Sequence, residues 1–92
     1  MKTYLIGYDL IKEGQDYGSL IEEIKKIGTW WHGLGSTWIV KTNLEASQIR
    51  DRLSLKIDNN DKLIVIRLKR EAAWIGFNKQ CSDWLKEKLS DD

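Results

Sequence analysis

One carboxylate stands out by where it falls. Asp9 closes the run Tyr4-Leu5-Ile6-Gly7-Tyr8-Asp9-Leu10, whose aromatic and aliphatic residues suit a buried strand. An aspartate at a strand end either accepts hydrogen bonds from the loop that follows or is a placed functional group. In the second case it is an oxygen ligand for a hard cation, Mg²⁺ or Mn²⁺, which would activate water against a phosphodiester. One carboxylate per chain is a thin ligand set, and a two-fold axis bringing two copies of Asp9 to a shared cleft would double it. The cations that could hold phosphates are Arg67, Lys69 and Arg70 after the last apolar run, together with Lys12; Tyr8 stands beside the aspartate. The same basic residues also read as a solvated strand end.

Other chemistry is quickly narrowed. His32 is the only histidine and Cys81 the only cysteine, so one chain holds no zinc ligand set and no Cys-His pair. His32 beside two tryptophans reads as a strand residue, and Cys81 as a small core hydrophobe on a helix. Gly33-Leu34-Gly35 lies between strands and precedes no helix, so it is not a phosphate loop. Trp30, Trp31, Trp38, Trp74 and Trp84 could stack on bases, or pack a core or a dimer contact.

Composition sets the bounds. The 92 residues suit one domain, 1–92, at the small end of what buries its own core, and leave apolar surface for a homodimer. Fifteen Lys and Arg against 14 Asp and Glu give no overall electrostatic footprint, although a local basic patch can hide in a neutral total. A lone cysteine, no signal-peptide pattern and no apolar run near the roughly 20 residues of a membrane span point to a soluble, cytoplasmic protein with no membrane partner.

The elements that would position Asp9 follow from periodicity. After the loop Lys12-Glu13-Gly14-Gln15-Asp16, the residues Tyr17, Leu20, Ile21, Ile24 and Ile27 mark an amphipathic helix, capped by Asp16 and ended by Gly28. Residues 29–32 and 36–42 read as a hairpin about Gly33-Leu34-Gly35. Thr42 and Glu45 form a capping box for a helix over residues 44–56, with Ala46, Ile49 and Leu53 inward and Arg50, Asp51 and Arg52 outward. The turn Asp58-Asn59-Asn60-Asp61 leads to a strand over 62–68. The order β-α-β-β-α-β predicts an α+β, ferredoxin-like sandwich whose first and third strands are central. Residues 70–92 add a segment, 72–77, that reads as a short edge strand, a turn of helix or an arm, and a C-terminal helix from 78 to about 89, which covers one end of the sheet or reaches a partner.

Several of these segments carry a resemblance. The first strand, Gly14-Gln15-Asp16-Tyr17, Trp31-His32, residues 36–42, Gln48-Ile49-Arg50-Asp51, the turn at 58–61 and residues 72–77 together resemble the bacterial SinR-family proteins across almost the whole chain. That family is similar to the small CRISPR-associated adaptor endonucleases and to VapD-like toxins. The resemblance implies a ferredoxin-like subunit in a symmetric homodimer, with a strand-one aspartate, here Asp9, near the dimer axis. Those adaptors often carry arginines just after that aspartate, where this chain has Ile11-Lys12-Glu13-Gly14. Two functions follow as expectations. One is metal-dependent cleavage of RNA or DNA at paired Asp9 residues holding Mg²⁺ or Mn²⁺, with Tyr8, Lys12, Arg67, Lys69 and Arg70 positioning the strand. The other is a non-catalytic dimeric binding or adaptor module in a defence or toxin–antitoxin setting, with a protein partner on the C-terminal segment.

Overall fold

The structure, a computed structural model, describes residues 1–11 and 17–90. Lys12, and the expected helix cap Asp16, lie outside the described residues. The elements run β1 (Lys2–Asp9), α1 (Gly18–Ile27), β2 (Thr29–Leu34), β3 (Thr37–Thr42), α2 (Ala46–Ser54), β4 (Lys62–Arg67) and α3 (Lys79–Ser90). The domain is α+β, with four strands in the order β2-β3-β1-β4 and every neighbouring pair antiparallel. β1 and β3 are central, as their apolar content leads one to expect.

Alternation in β1 and β3 divides the sheet into two faces. Tyr4 and Ile6 from β1, with Trp38 and Val40 from β3, meet Leu20, Ile24 and Ile27 of α1 and Ile49 and Leu53 of α2. These nine side chains are the main core, and each fully buried aliphatic contributes about 1.5–3 kcal/mol relative to exposure. The Tyr4 hydroxyl donates to the Leu44 carbonyl at 2.8 Å, so the polar tip of this core residue is satisfied.

Among the described residues, the opposite face is covered over only half its width. Trp31 and Ile39 from β2 and β3 pack against Leu85 and Leu89 of α3, with Trp74, Phe77, Cys81 and Trp84 around them. The C-terminal helix therefore docks on the β2–β3 half of the sheet. Asn78 caps it by accepting the Cys81 N–H at 2.8 Å, and the Lys41 ammonium donates to the Lys88 carbonyl at its last turn. Residues 72–77 have no regular structure; they form an arm held by the Trp74 indole, which donates to Ser82 Oγ at 2.8 Å.

Local details differ from the expectations for identifiable reasons. β2 runs on through Gly33 to Leu34, with a bulge between Trp31 and Leu34, so the turn falls at Gly35 and Ser36. Gly33 is needed because the Trp31 indole occupies the space a Cβ there would fill. Gly28 ends α1 with extended backbone at φ 174°, which any residue adopts. Its glycine is required instead by the Lys41 carbonyl oxygen, into which a Cβ would run. The start of α2 is shifted too: Gln48 reaches back to accept the Glu45 N–H at 2.8 Å, which moves the capping box from Thr42 to Glu45. Arg52, expected outward, turns to α1 and grips Glu23 with two bonds of 3.0 and 2.6 Å.

Candidate functional site

Asp9 and Asp61 have exchanged the roles their positions suggest. Asp9 is exposed at the end of β1, and among the described residues no hydrogen bond or ion pair engages its carboxylate. Asp61, from the turn before β4, does what a strand-end aspartate was expected to do. Its Oδ1 accepts the Ile11 N–H at 3.0 Å, its Oδ2 accepts the Asp58 N–H at 2.9 Å, and the Tyr17 hydroxyl donates to both oxygens at 3.1 and 2.9 Å. One carboxylate thus ties the exit of β1, the entry to α1 and the start of β4. The pair of aspartates flanking Asn59-Asn60 did not reveal in sequence which of them reaches back fifty residues.

The surroundings of Asp9 are sparse. Its cross-strand partner is Lys62, the first residue of β4, and a shallow hollow of about 210 Å³ is lined by Gly7, Tyr8, Asp9, Lys62, Leu63 and Ile64. Lys62 is the cation that belongs to this site, and sequence reasoning missed it. Tyr8 is adjacent but committed: its hydroxyl accepts the Trp38 Nε1–H at 3.0 Å, and its ring packs against the main core. Among the described residues no three His, Cys, Asp or Glu side chains gather where they could hold a metal ion. Asp9 alone, facing a lysine, does not fit Mg²⁺ or Mn²⁺, which need several oxygen ligands.

The expected basic strip is at the other end of the sheet. β4 runs antiparallel to β1, so Arg67 pairs with Tyr4 while Lys62 pairs with Asp9. Five residues at about 3.3 Å each separate the two levels by roughly 17 Å. Leu68 continues past Arg67 with its N–H on the Thr3 carbonyl at 2.8 Å, which places exposed Lys69 and Arg70 beyond the start of β1. Lys2, bonded to Glu45, and Lys41 stand at the same end of the neighbouring strands. The fold brings Arg67, Lys69 and Arg70 together and keeps them away from Asp9.

The tryptophans also sort themselves. Trp31 and Trp38 are core residues; Trp31 is 5% exposed, meets Phe77 edge-on at 5.0 Å, and its buried Nε1–H finds no acceptor among the described residues. His32 is exposed and stacks on Trp38, with ring centroids 3.8 Å apart. Trp30 keeps 41% of its surface exposed beside the C-terminal end of α1, with Lys25 Nζ 5.2 Å over its ring.

Two carboxylates beside cations are shifted by them. The Arg52 hydrogen bond, reinforced by Lys26 and Lys56, holds the Glu23 carboxyl below the usual range, and Lys2 does the same for Glu45. No helix among the described residues is long and apolar enough to cross a membrane. No protein-family model matches the chain, and no solved structure matches it.

Proposed function

We propose that the protein is a homodimeric, ferredoxin-like module that binds nucleic acid without cutting it, close to the adaptor reading that the SinR-family resemblance suggests. The element order and the strand order β2-β3-β1-β4 support the ferredoxin-like assignment. The observation that carries the functional reading is the segregation of charge. The cations that can hold phosphates lie at one end of the sheet and Asp9 at the other. A hydrolytic site needs the scissile phosphate clamped beside the group that activates water.

The uncovered half of the outer sheet face is where a second copy fits. Ile64 and Ile66 of β4 are 54% and 46% exposed and stand opposite Gly7 and Leu5 of β1. Ile75, on the arm, is 93% exposed. β4 is an edge strand, but Lys62 and Arg67 bracket it, and pairing two copies edge to edge about its centre would set these cations against each other. Packing face to face avoids that conflict. It also lets Asp9 of one copy meet Lys62 of the other, an opposite-charge pair at the end of an apolar strip.

A second reading rests on the same dimer. Asp9 is an exposed carboxylate with no partner among the described residues, and two of them near the axis would supply two of the oxygen ligands that Mg²⁺ or Mn²⁺ needs. The dimer is tested by light scattering of the wild type and of Ile64→Asp with Ile66→Asp. The wild type is expected at twice the chain mass at micromolar concentration and the double variant as a folded monomer. A monomeric wild type removes both the interface and the paired aspartates. Binding of labelled RNA or DNA that weakens steeply with salt, and is abolished on reversing Lys69 and Arg70 to Glu, supports the binding role; its absence at low salt refutes it.

A further inference from the structure

Behind the basic end of the sheet lies an open groove of about 740 Å³, between the C-terminal end of α1, the starts of β1 and β2, the end of β3 and α2. Lys25 and Arg52 line it together with Trp30 and Asn43, while Lys41 lies at its wall with its ammonium turned to the last turn of α3. Lys26 and Lys56 add their fields at Glu23, the acid beside Arg52. In a chain of net charge +1, this gathering of cations around one exposed indole is the local patch that the total conceals.

We infer that this groove is a binding site for single-stranded nucleic acid, with a base stacked on Trp30 and the backbone phosphates on Lys25 and Arg52. The Lys25 ammonium above the Trp30 ring marks a face that opens to the groove. A base can take that face while the flexible lysine swings to the adjacent phosphate. Arg52 keeps its two bonds to Glu23, so this cation is held in place as a ligand arrives. Stacking requires an unpaired base, which is why a single strand and not a duplex is the ligand. The inference rests on the nucleic-acid half of the proposed function and gives it a location; Arg67, Lys69 and Arg70 lie along the same end of the sheet as a continuation of the track.

The test is fluorescence anisotropy of a labelled oligouridylate of about 12 nucleotides, within the ~4–16 that small single-strand domains cover, titrated with the full-length protein at several salt concentrations. Trp30→Leu is expected to weaken binding at least about five-fold, the lower end for removal of a base stack. Lys25→Glu, an exposed change that leaves the core intact, is expected to weaken it and to flatten the log K against log salt slope by about 0.7 for each phosphate no longer neutralised. Circular dichroism of each variant confirms that the fold persists. Equal affinity for a duplex of the same length, or wild-type affinity in both variants, overturns the groove. If binding is then abolished by reversing Lys69 and Arg70, the nucleic-acid function survives elsewhere on the protein. If the wild type binds no oligonucleotide at low salt, both readings fall together.

Discussion

Removing the Asp61 carboxylate should destabilise the fold far more than removing that of Asp9. In Asp61→Ala, the Ile11 and Asp58 amides and the Tyr17 hydroxyl all lose their acceptor at once. Hydrogen bonds to a charged group are worth about 1.5–3 kcal/mol each, but the Ile11 bond is exposed, the others are only part-buried, and water replaces some of the loss. A total of about 2–4 kcal/mol is the reasonable sum. A 92-residue domain has roughly 5–14 kcal/mol of stability at about 0.05–0.15 kcal/mol per residue, so this is a large fraction. At about 4–8 °C per kcal/mol, the melting temperature should fall by roughly 10–30 °C. Asp61→Asn, which keeps one acceptor oxygen, should lose less. Asp9→Ala removes an exposed carboxylate with no partner among the described residues and should stay within about ±0.5 kcal/mol. Thermal and urea melts followed by circular dichroism measure all three. A loss in Asp9→Ala equal to that in Asp61→Ala would refute the assignment of structural and free aspartate.

Gly28→Ala must push the Lys41 carbonyl away from the α1–β2 junction, and an overpacked approach of this kind costs about 1–3 kcal/mol, read as a lower urea midpoint. Leu85→Ala empties a buried position between α3 and the sheet and should cost about 2–5 kcal/mol, with Trp74 and Trp84 fluorescence reporting the loosened packing. Acid weakens the protein through Glu23 and Glu45. Their folded pKa values lie below 4.5, so the stability they contribute is present above about pH 4.5 and is lost as pH falls through the lowered values. Arg52→Gln should flatten that acid limb in a plot of unfolding midpoint against pH, since the Arg52 bond is the main cause of the Glu23 shift.

The elements were legible where one physical signal dominated. The 3-4 spacing of Leu20, Ile24 and Ile27 marks α1, and the apolar runs of β1 and β3 mark central strands, because burial on one or both faces leaves its period in the chain. The place of α3 was not legible, since Leu85 and Leu89 say that the helix is buried on one side and nothing about what buries it. The separation of Asp9 from Arg67 was implicit in the strand order: an antiparallel β4 beside β1 must end where β1 begins. The groove was out of reach for a different reason. Lys25, Trp30 and Arg52 come from three elements, and only packing makes them neighbours. Gly28 and Gly33 read as a helix stop and a turn, yet both are demanded by close approach of another group, a property of tertiary packing.

Cleavage is the measurement that bears most directly on the central claim of binding without hydrolysis. Wild type and Asp9→Ala would each be incubated with labelled single- and double-stranded RNA and DNA, in Mg²⁺, in Mn²⁺ and in EDTA, with bound and cut fractions read from the same samples. The segregation of Asp9 from the cationic end predicts intact, bound oligonucleotide in every single-stranded lane, no products in any lane, and equal binding by the two proteins. Metal-dependent products that appear with wild type and vanish with Asp9→Ala would contradict it and establish the paired-aspartate nuclease instead.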